Sequence, residues 1–195
     1  IIGDPTPNCT GGLNNQFVFK NWDMSMFMNF SIGNDIYNAN NIEMTNSYSI
    51  NSNMLSVMKD RYMTITPDGQ RVLYVNGSSQ AVGIAPDLLS ALNKDAKIWQ
   101  PLRGSGAFYP HSWAIEDGSF LRLNNLTIGY TFPVKKLMGL RMSKLRAYFT
   151  GNNLAILTKY TGYDPEVNVR SNPLTPGLDY SAYPKSRSFI FGINA

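Results

Sequence analysis

Residues 22–33 read WDMSMFMNFSIG, and this stretch decides the fold class. Every even-numbered position is apolar, whereas the odd-numbered positions are polar or small with the single exception of Phe27. Successive side chains of a β-strand point to opposite faces, so the pattern predicts a strand with one apolar and one polar face. Its length of about a dozen residues exceeds the five or six typical of globular strands and fits a tilted strand that crosses a membrane, which needs roughly 9–11 residues.

Four further segments show the same alternation less cleanly. In one of them the apolar positions change parity between Leu123 and Leu126, which predicts a β-bulge near Asn124-Asn125 because one inserted residue flips the side chains that follow. The predicted strands lie near 11–19, 21–33, 119–132, 142–152 and 187–195.

The connections between these strands alternate in length. A tight turn at Lys20-Asn21 and a short link around 133–141 alternate with segments of about 85 and about 34 residues. Outer-membrane barrels combine short periplasmic turns with long extracellular loops. We therefore predict an all-β fold, an antiparallel transmembrane β-barrel segment with two extracellular loops near 34–118 and 153–186. The first loop contains a candidate short helix around 54–62.

Five strands are too few to form a closed barrel. Bacterial single-chain barrels begin at eight strands, and an open sheet in lipid leaves two edges of unpaired backbone groups that each cost several kcal/mol. The remaining strands are therefore expected from elsewhere in a larger protein. The opening Ile1-Ile2-Gly3-Asp4-Pro5 also reads as the middle of a longer chain.

The composition argues against most other classes of protein. Charged residues make up only 15% and the net charge is +4, with no basic run interleaved with aromatic residues, so we expect no nucleic-acid partner. The chain has one histidine, His111, and one cysteine, Cys9, and it lacks a Gly-rich phosphate loop and the HExxH and GxSxG motifs. We therefore expect neither an enzyme nor a metal site, and no cofactor.

Aromatic side chains in the predicted loops are the candidates for contact with a ligand or partner. Exposed aromatic rings can stack on sugars. Clusters of them also pack loops together or mark protein interfaces, and we favour this second interpretation here. The candidates are Trp99, Phe108, Tyr109, Trp113, Tyr160 and Tyr163. For Tyr180 and Tyr183, too, we favour a packing or interface role over contact with a ligand.

Three blocks of sequence resemble one known family. Residues 113–130, WAIEDGSFLRLNNLTIGY, are similar to the EDGSFLRLxNLTxGY signature near the end of SusC/RagA-type TonB-dependent transporters. Residues 151–154 with 160–166 resemble the family's GxNL and YxGYDPE motifs, and 179–194 resemble its closing D, YP and FGxN motifs. Matching blocks follow one another in the family's order across nearly the whole chain.

Most residues within these blocks read as structural. Asp117-Gly118 is turn chemistry that enters a strand, where glycine tolerates a positive φ, and Asp164-Pro165 restricts the backbone toward an extended conformation. The motif residues concerned are Asp117, Gly118, Phe120, Arg122, Asn153, Gly162, Asp164 and Pro165.

The resemblance implies the carboxy-terminal part of a 22-stranded barrel in the outer membrane of a Gram-negative bacterium. Family members enclose a plug domain, draw energy through TonB, pair with a SusD-like surface lipoprotein, and import oligosaccharides or peptides. The plug and the TonB-contacting segment are expected to lie outside this chain. Family members usually end in an aromatic residue a few positions past the FGxN motif, whereas this sequence stops at Ala195, so either further residues follow or the insertion signal is unusual.

One alternative reading is a soluble or surface-attached β-sandwich that binds carbohydrate without transporting it. A sandwich would bury the apolar face of each strand against a second sheet, whereas a barrel segment would turn that face toward lipid. The exposure of this face therefore discriminates between the two readings.

Overall fold

The computed structural model describes residues 2–45, 51, 53–64, 86–100, 111–133, 144–167 and 176–195. The chain forms two compact units, one made of Ile1–Ala39 with His111–Ala195 and the other of Asn40–Pro110. The first unit holds all of the named strands, which are β1 (Cys9–Phe19), β2 (Trp22–Ile32), β3 (Asp35–Asn38), β4 (Ile115–Asp117), β5 (Phe120–Phe132), β6 (Leu145–Thr158), β7 (Leu178–Asp179) and β8 (Ser188–Asn194).

The main sheet has five strands in the order β1-β2-β5-β6-β8, and every neighbouring pair is antiparallel. This confirms the predicted fold class of an antiparallel sheet. β1 and β2 form a hairpin with a two-residue turn, in which Phe19 pairs with Trp22 and Lys20 has a positive φ of 55°. Primed turns of this kind place residues at positive φ because their twist matches that of the flanking strands.

A bulge in β5 is present where the change of parity predicts it. Phe27 pairs with Asn125 and Met28 pairs with Leu123, so Asn124 is the extra residue. The predicted bulge is thereby confirmed. Its consequence is that Leu123 and Leu126 lie on the same face of the sheet despite their odd separation in sequence.

β6 extends farther than the sequence suggests. The predicted strand stops at residue 152, whereas the observed strand continues to Thr158. The GNNL sequence at 151–154 reads as a turn because Gly and Asn are typical turn residues. In the structure Asn153 adopts a positive φ of 51°, which absorbs the irregularity opposite Asn124, and the strand then resumes.

The two faces of the main sheet differ in chemistry. On the polar face the hydroxyls of Thr127 and Thr150 lie 2.8 Å apart, and Asn125 donates to Asn152 at 2.7 Å. Near the hairpin turn, Arg146 Nε donates to Asp23 Oδ1 at 2.9 Å. The strand registers place on the opposite, apolar face Leu13, Phe17, Phe19, Trp22, Met24, Met26, Met28, Phe30, Leu121, Leu123, Leu126, Ile128, Tyr130, Phe132, Phe149, Phe189, Phe191 and Ile193.

This apolar face is largely uncovered. Phe17 is 54% exposed, Phe191 79% and Ile193 73%. A β-sandwich would bury such side chains between its two sheets, about 10 Å apart. Their exposure therefore argues against the sandwich reading and fits a sheet that turns this face toward hydrocarbon.

A second, smaller sheet lies within segments that we predicted as loops. It has the order β4-β3-β7, with β3 antiparallel to β4 and parallel to β7. Residues 34–118 and 153–186 are thus not uniformly irregular, and each contributes short strands. Strands of two to four residues are too short to show an alternating pattern, so the sequence did not reveal them. A small core of Ile36, Tyr160 and Val167 packs beside this sheet.

The second unit contains short helices. They are α1 (Ala39–Glu43), which begins at the unit boundary, a 3₁₀ helix (Ser56–Asp60) and α2 (Pro86–Leu92), and the 3₁₀ helix lies where a short helix around 54–62 was predicted. Met58 and Ile98 are buried, and Lys97 forms an ion pair with Asp60 at 2.8 Å. No helix in the described residues has both the length and the apolar character needed to span a bilayer.

Candidate ligand-binding cleft and the ion-pair cluster beside it

Arg122 of β5 lies on the polar face of the main sheet, and the bulge puts it there. An unbroken strand would place residue 122 on the same face as Leu126 and Ile128, because all three numbers are even. The extra residue at Asn124 reverses the parity, so Arg122 shares a face with Asn125 and pairs with Asn29 of β2. A local backbone irregularity thus determines which side of the sheet carries this charge.

Arg122 is buried in an ion-pair cluster. Its side chain is 5% exposed and bonds through Nη2 to Asp164 Oδ1, which is similarly buried. Arg122 Nε lies 2.6 Å from Glu166 Oε2, close enough for an ion pair although the N–H is not aligned for a hydrogen bond. Lys185 Nζ donates to the same Glu166 oxygen at 2.8 Å. We call Arg122, Asp164, Glu166 and Lys185 the Arg122 cluster.

The cluster attaches the segment after β6 to the wall of the main sheet. Asn29 of β2 donates from Nδ2 to Glu166 Oε1 at 3.1 Å, so two neighbouring strands hold the same carboxylate. Asp164 also accepts the backbone N–H of Glu166 at 2.9 Å and, more weakly, that of Lys185 at 3.4 Å. Removing a buried charge from its partner is costly, so the segment is held firmly against the polar face.

A cleft of about 420 Å³ opens beside the Arg122 cluster. Within it Tyr183 is 92% exposed and Tyr180 45% exposed, and Ser181 between them has a positive φ of 55°. The lining residues are Asp164, Glu166, Val167, Tyr180, Ser181, Ala182, Tyr183 and Lys185. Aromatic rings next to a few fixed polar groups are the usual lining of a small-ligand site.

Tyr160, one of the predicted contact candidates, is instead part of the core. It is 6% exposed, and its hydroxyl donates to Asp179 Oδ2 at 2.5 Å. Burial, followed by the hydrogen bond to Asp179, raises the pKa of Tyr160 above its ordinary value. Its ring therefore packs in the same cluster as Val167 and Ala182, which line the cleft, and is not available to a ligand.

The other aromatic candidates are distributed over the chain. Tyr163 is 77% exposed but is not among the cleft residues. Trp113 lies half-buried in the 3₁₀ turn Ser112–Ala114, with its ring 6.3 Å from that of His111. Trp99 belongs to the second unit and is half-buried, while Phe108 and Tyr109 lie outside the described residues. Of the candidates described in the first unit, Trp113, Tyr160 and Tyr163 are not among the residues that line the cleft.

Gly118 is small for a reason other than the predicted one. The predicted reason was that glycine tolerates a positive φ, but the described glycines with positive φ are Gly33 and Gly177. A Cβ on Gly118 would lie 2.7 Å from Cγ1 of the fully buried Ile36, so close packing requires glycine. Gly162 is constrained in the same way, since a Cβ there would overlap the ring of Tyr160.

Three further motif residues, Asp117, Phe120 and Asn153, have structural contacts. Ser119 N–H donates to Asp117 Oδ1 at 2.9 Å, and hydrogen bonds from the Ser119 hydroxyl and N–H hold the pKa of Asp117 below its usual value. Phe120 is buried with its ring under the Arg122 guanidinium, 5.8 Å from carbon to centroid. Asn153 donates from Nδ2 to the Ser186 carbonyl at 2.9 Å.

Two members of the Arg122 cluster were not recognised from the sequence. Glu166 and Lys185 are 19 residues apart, and no spacing rule relates them to Arg122. The Asp-Pro-Glu run at 164–166 was the available signal, because it places two carboxylates on either side of a rigid residue. Arg122, the common partner of these two carboxylates, became apparent only in the folded chain.

Comparison with known proteins identifies relatives along the whole chain. No family model matches it. The TonB-dependent receptor P3 of Formosa agariphila is 30% identical over 199 residues, which is 100% of this chain and 17% of the relative. The TonB-dependent receptor SusC of Bacteroides thetaiotaomicron is 27% identical over 100% of this chain and 16% of the relative. The chain thus spans about one sixth of the length of these curated relatives.

Solved structures show the same fold. The RagAB peptide importer in its open-open state superposes with a TM-score of 0.68 at 22% identity, covering 99% of this chain and 17% of that chain. Its closed-closed state gives a TM-score of 0.66 at the same identity. The five-stranded sheet is therefore similar to part of a large barrel.

Proposed function

This chain is part of the barrel of a SusC-type TonB-dependent receptor, and from that premise we propose that the complete protein imports nutrients across the outer membrane of a Gram-negative bacterium. In this proposal the cargo is a glycan or a peptide, TonB supplies the energy, and a SusD-like surface lipoprotein covers the mouth of the barrel. The described sheet would supply five strands of a barrel that we expect to contain 22, and the plug would come from another part of the protein.

The observation that carries the proposal is the two-faced main sheet. Its apolar face exposes large side chains such as Phe17, Phe191 and Ile193, whereas the opposite face holds hydrogen-bonded threonines and asparagines and the Asp23–Arg146 ion pair. Barrels in a membrane alternate lipid-facing apolar residues with lumen-facing polar ones. This arrangement supports a lipid-facing outer wall and a water-facing lumen.

The lengths of the connections support an orientation. The two-residue turn at Lys20-Asn21 would face the periplasm, since periplasmic turns of barrels are short. The Arg122 cluster and the cleft lie toward the opposite end of the strands, next to the long segments, and would face the outside. Trp22 and Tyr130, whose ring centroids are 4.8 Å apart, would then belong to the periplasmic aromatic girdle.

Uptake by living cells tests the import function. Deletion of the gene for this receptor should abolish uptake of one class of labelled oligosaccharides or peptides, and re-expression should restore it. Uptake should also stop when the proton gradient is collapsed or TonB is removed, whereas binding to the cell surface should persist. Uptake that is unaffected by loss of the receptor and of TonB would contradict the proposal.

The partner is tested separately by affinity purification. A tagged receptor extracted in mild detergent should co-purify a surface lipoprotein in roughly equal amount, because the proposed lid binds the extracellular end of the barrel. A receptor that purifies alone under conditions that preserve its barrel would remove the lipoprotein from the proposal while leaving import intact.

A further inference from the structure

We infer that the cleft beside the Arg122 cluster is a cargo subsite that binds a ring of a neutral oligosaccharide, with Tyr183 as the residue that contacts the ring. The inference rests on the import function proposed above and selects glycan as the class of cargo.

The backbone on both sides of Tyr183 is held in place although its ring is 92% exposed. Ala182 packs against the core of Ile36, Tyr160 and Val167. Pro184 restricts the residue before it to an extended conformation. Because the backbone is already fixed, only the two side-chain torsions of Tyr183 have to be ordered on binding, which keeps the entropic cost of binding small.

Lys185 fixes the other end of this short segment. Its backbone N–H lies 3.4 Å from Asp164 Oδ2, and its Nζ donates to Glu166 Oε2 at 2.8 Å. The Lys185 side chain is still 48% exposed and lines the cleft, and an ammonium group has two further donors besides the one that Glu166 accepts. Tyr183 therefore stands beside a hydrogen-bonding group whose position the Arg122 cluster sets.

The charges around the cleft favour a neutral ligand. The Arg122 cluster has two cations and two carboxylates, and each is paired within the cluster. The cluster therefore has no net charge with which to attract a peptide amino or carboxyl terminus. A sugar ring presents an apolar C–H face and hydroxyl groups at its edge, which match an aromatic face next to fixed polar groups.

The cleft lies where cargo would pass. Its walls are held by Arg122 of β5 and Asn29 of β2, both on the polar face of the main sheet. In the proposed barrel that face lines the lumen. A ring bound against Tyr183 would thus sit at the outer entrance to the lumen, next to the side chains that line it.

Two tyrosine variants separate a ring contact from a general surface effect. The probe is an array of neutral oligosaccharides covering the common hexose linkages, with a pool of short peptides alongside, applied to the intact purified receptor. Tyr183→Ala should weaken binding of the recognised oligosaccharide by about tenfold, because it loses one aromatic contact. Tyr183→Phe keeps the ring and should stay within about twofold of the wild type. Tyr163→Ala removes a comparably exposed tyrosine outside the cleft and should bind like the wild type.

The outcomes distinguish failure of the subsite from failure of the import function. Binding of peptides alone, binding of no oligosaccharide, unchanged binding by Tyr183→Ala, or equal losses in Tyr183→Ala and Tyr163→Ala would each overturn the subsite. TonB-dependent cellular uptake of the same probes is measured in parallel. Continued uptake in any of these cases leaves the import function standing, whereas absence of TonB-dependent uptake in the wild type rejects the import function itself.

Discussion

Arg122 is the buried cation on which the Arg122 cluster depends. It is 5% exposed and faces two carboxylates, so Arg122→Met would leave Asp164 buried without a cation, while Glu166 would keep only Lys185. We expect a loss of about 3–5 kcal/mol in the free energy of unfolding. The measurement is a urea titration of the intact receptor in detergent micelles. Arg187→Met, which alters an exposed arginine, is the control and should change stability little; equal losses would contradict the cluster.

Tyr160 and Asp179 form a buried hydrogen-bonded pair, and the contribution of this pair to the free energy of unfolding depends on pH. Because the pKa of Tyr160 is raised in the folded state, its contribution to stability is complete below the unfolded tyrosine pKa of about 10 and is lost as pH rises beyond it. Tyr160→Phe should cost about 1–3 kcal/mol at neutral pH, since Asp179 loses a donor. The unfolding midpoint of the wild type should therefore approach that of the variant in alkaline buffer. Parallel midpoints at all pH values would refute this account.

At the scale of the strand, the two faces of β2 should respond differently to the same charge. Met26 lies on the apolar face opposite Leu126, and Ser25 lies on the polar face opposite Thr127. Met26→Arg should destabilise the folded barrel by about 2–4 kcal/mol if it sits near the middle of the bilayer, whereas Ser25→Arg should be far milder. Unfolding of the receptor in lipid vesicles by urea measures both. Equal effects of the two neighbouring substitutions would count against a lipid-facing side.

At the scale of the whole molecule, the main sheet is incomplete by itself. β1 and β8 end the sheet, and its apolar face remains exposed over Phe17, Phe191 and Ile193. Unpaired strand edges and a large apolar face promote aggregation in water. Residues 1–195 expressed alone should therefore fail to give a folded monomer in detergent-free buffer. Size-exclusion chromatography with circular dichroism is the measurement, and a monodisperse β-rich monomer would contradict the barrel assignment.

The sequence by itself determined the main sheet, its two faces and the bulge in β5. These properties follow from alternation along long strands, which is a local pattern and needs no knowledge of distant residues. The predicted end of β6 at residue 152 was wrong, since the strand continues through 153–158. The turn-like GNNL sequence remains part of the strand because Asn153 can adopt a positive φ at little cost. The sequence predicted that Gly118 has a structural role, but the close packing of Ile36 that requires glycine there could not be predicted from the residues next to it in sequence.

Only the tertiary structure decided the small sheet, the Arg122 cluster and the cleft. Strands of two to four residues have no detectable period, and β3 meets β4 and β7 across long stretches of sequence. Arg122 meets Asp164 over a separation of 42 residues, and this contact depends on the bulge that turns Arg122 toward the polar face. Tyr160 and Tyr183 are both tyrosines of motifs that resemble the family's, yet one is buried and the other exposed. Burial is a property of the packed chain, so their different roles emerge only when the segments come together.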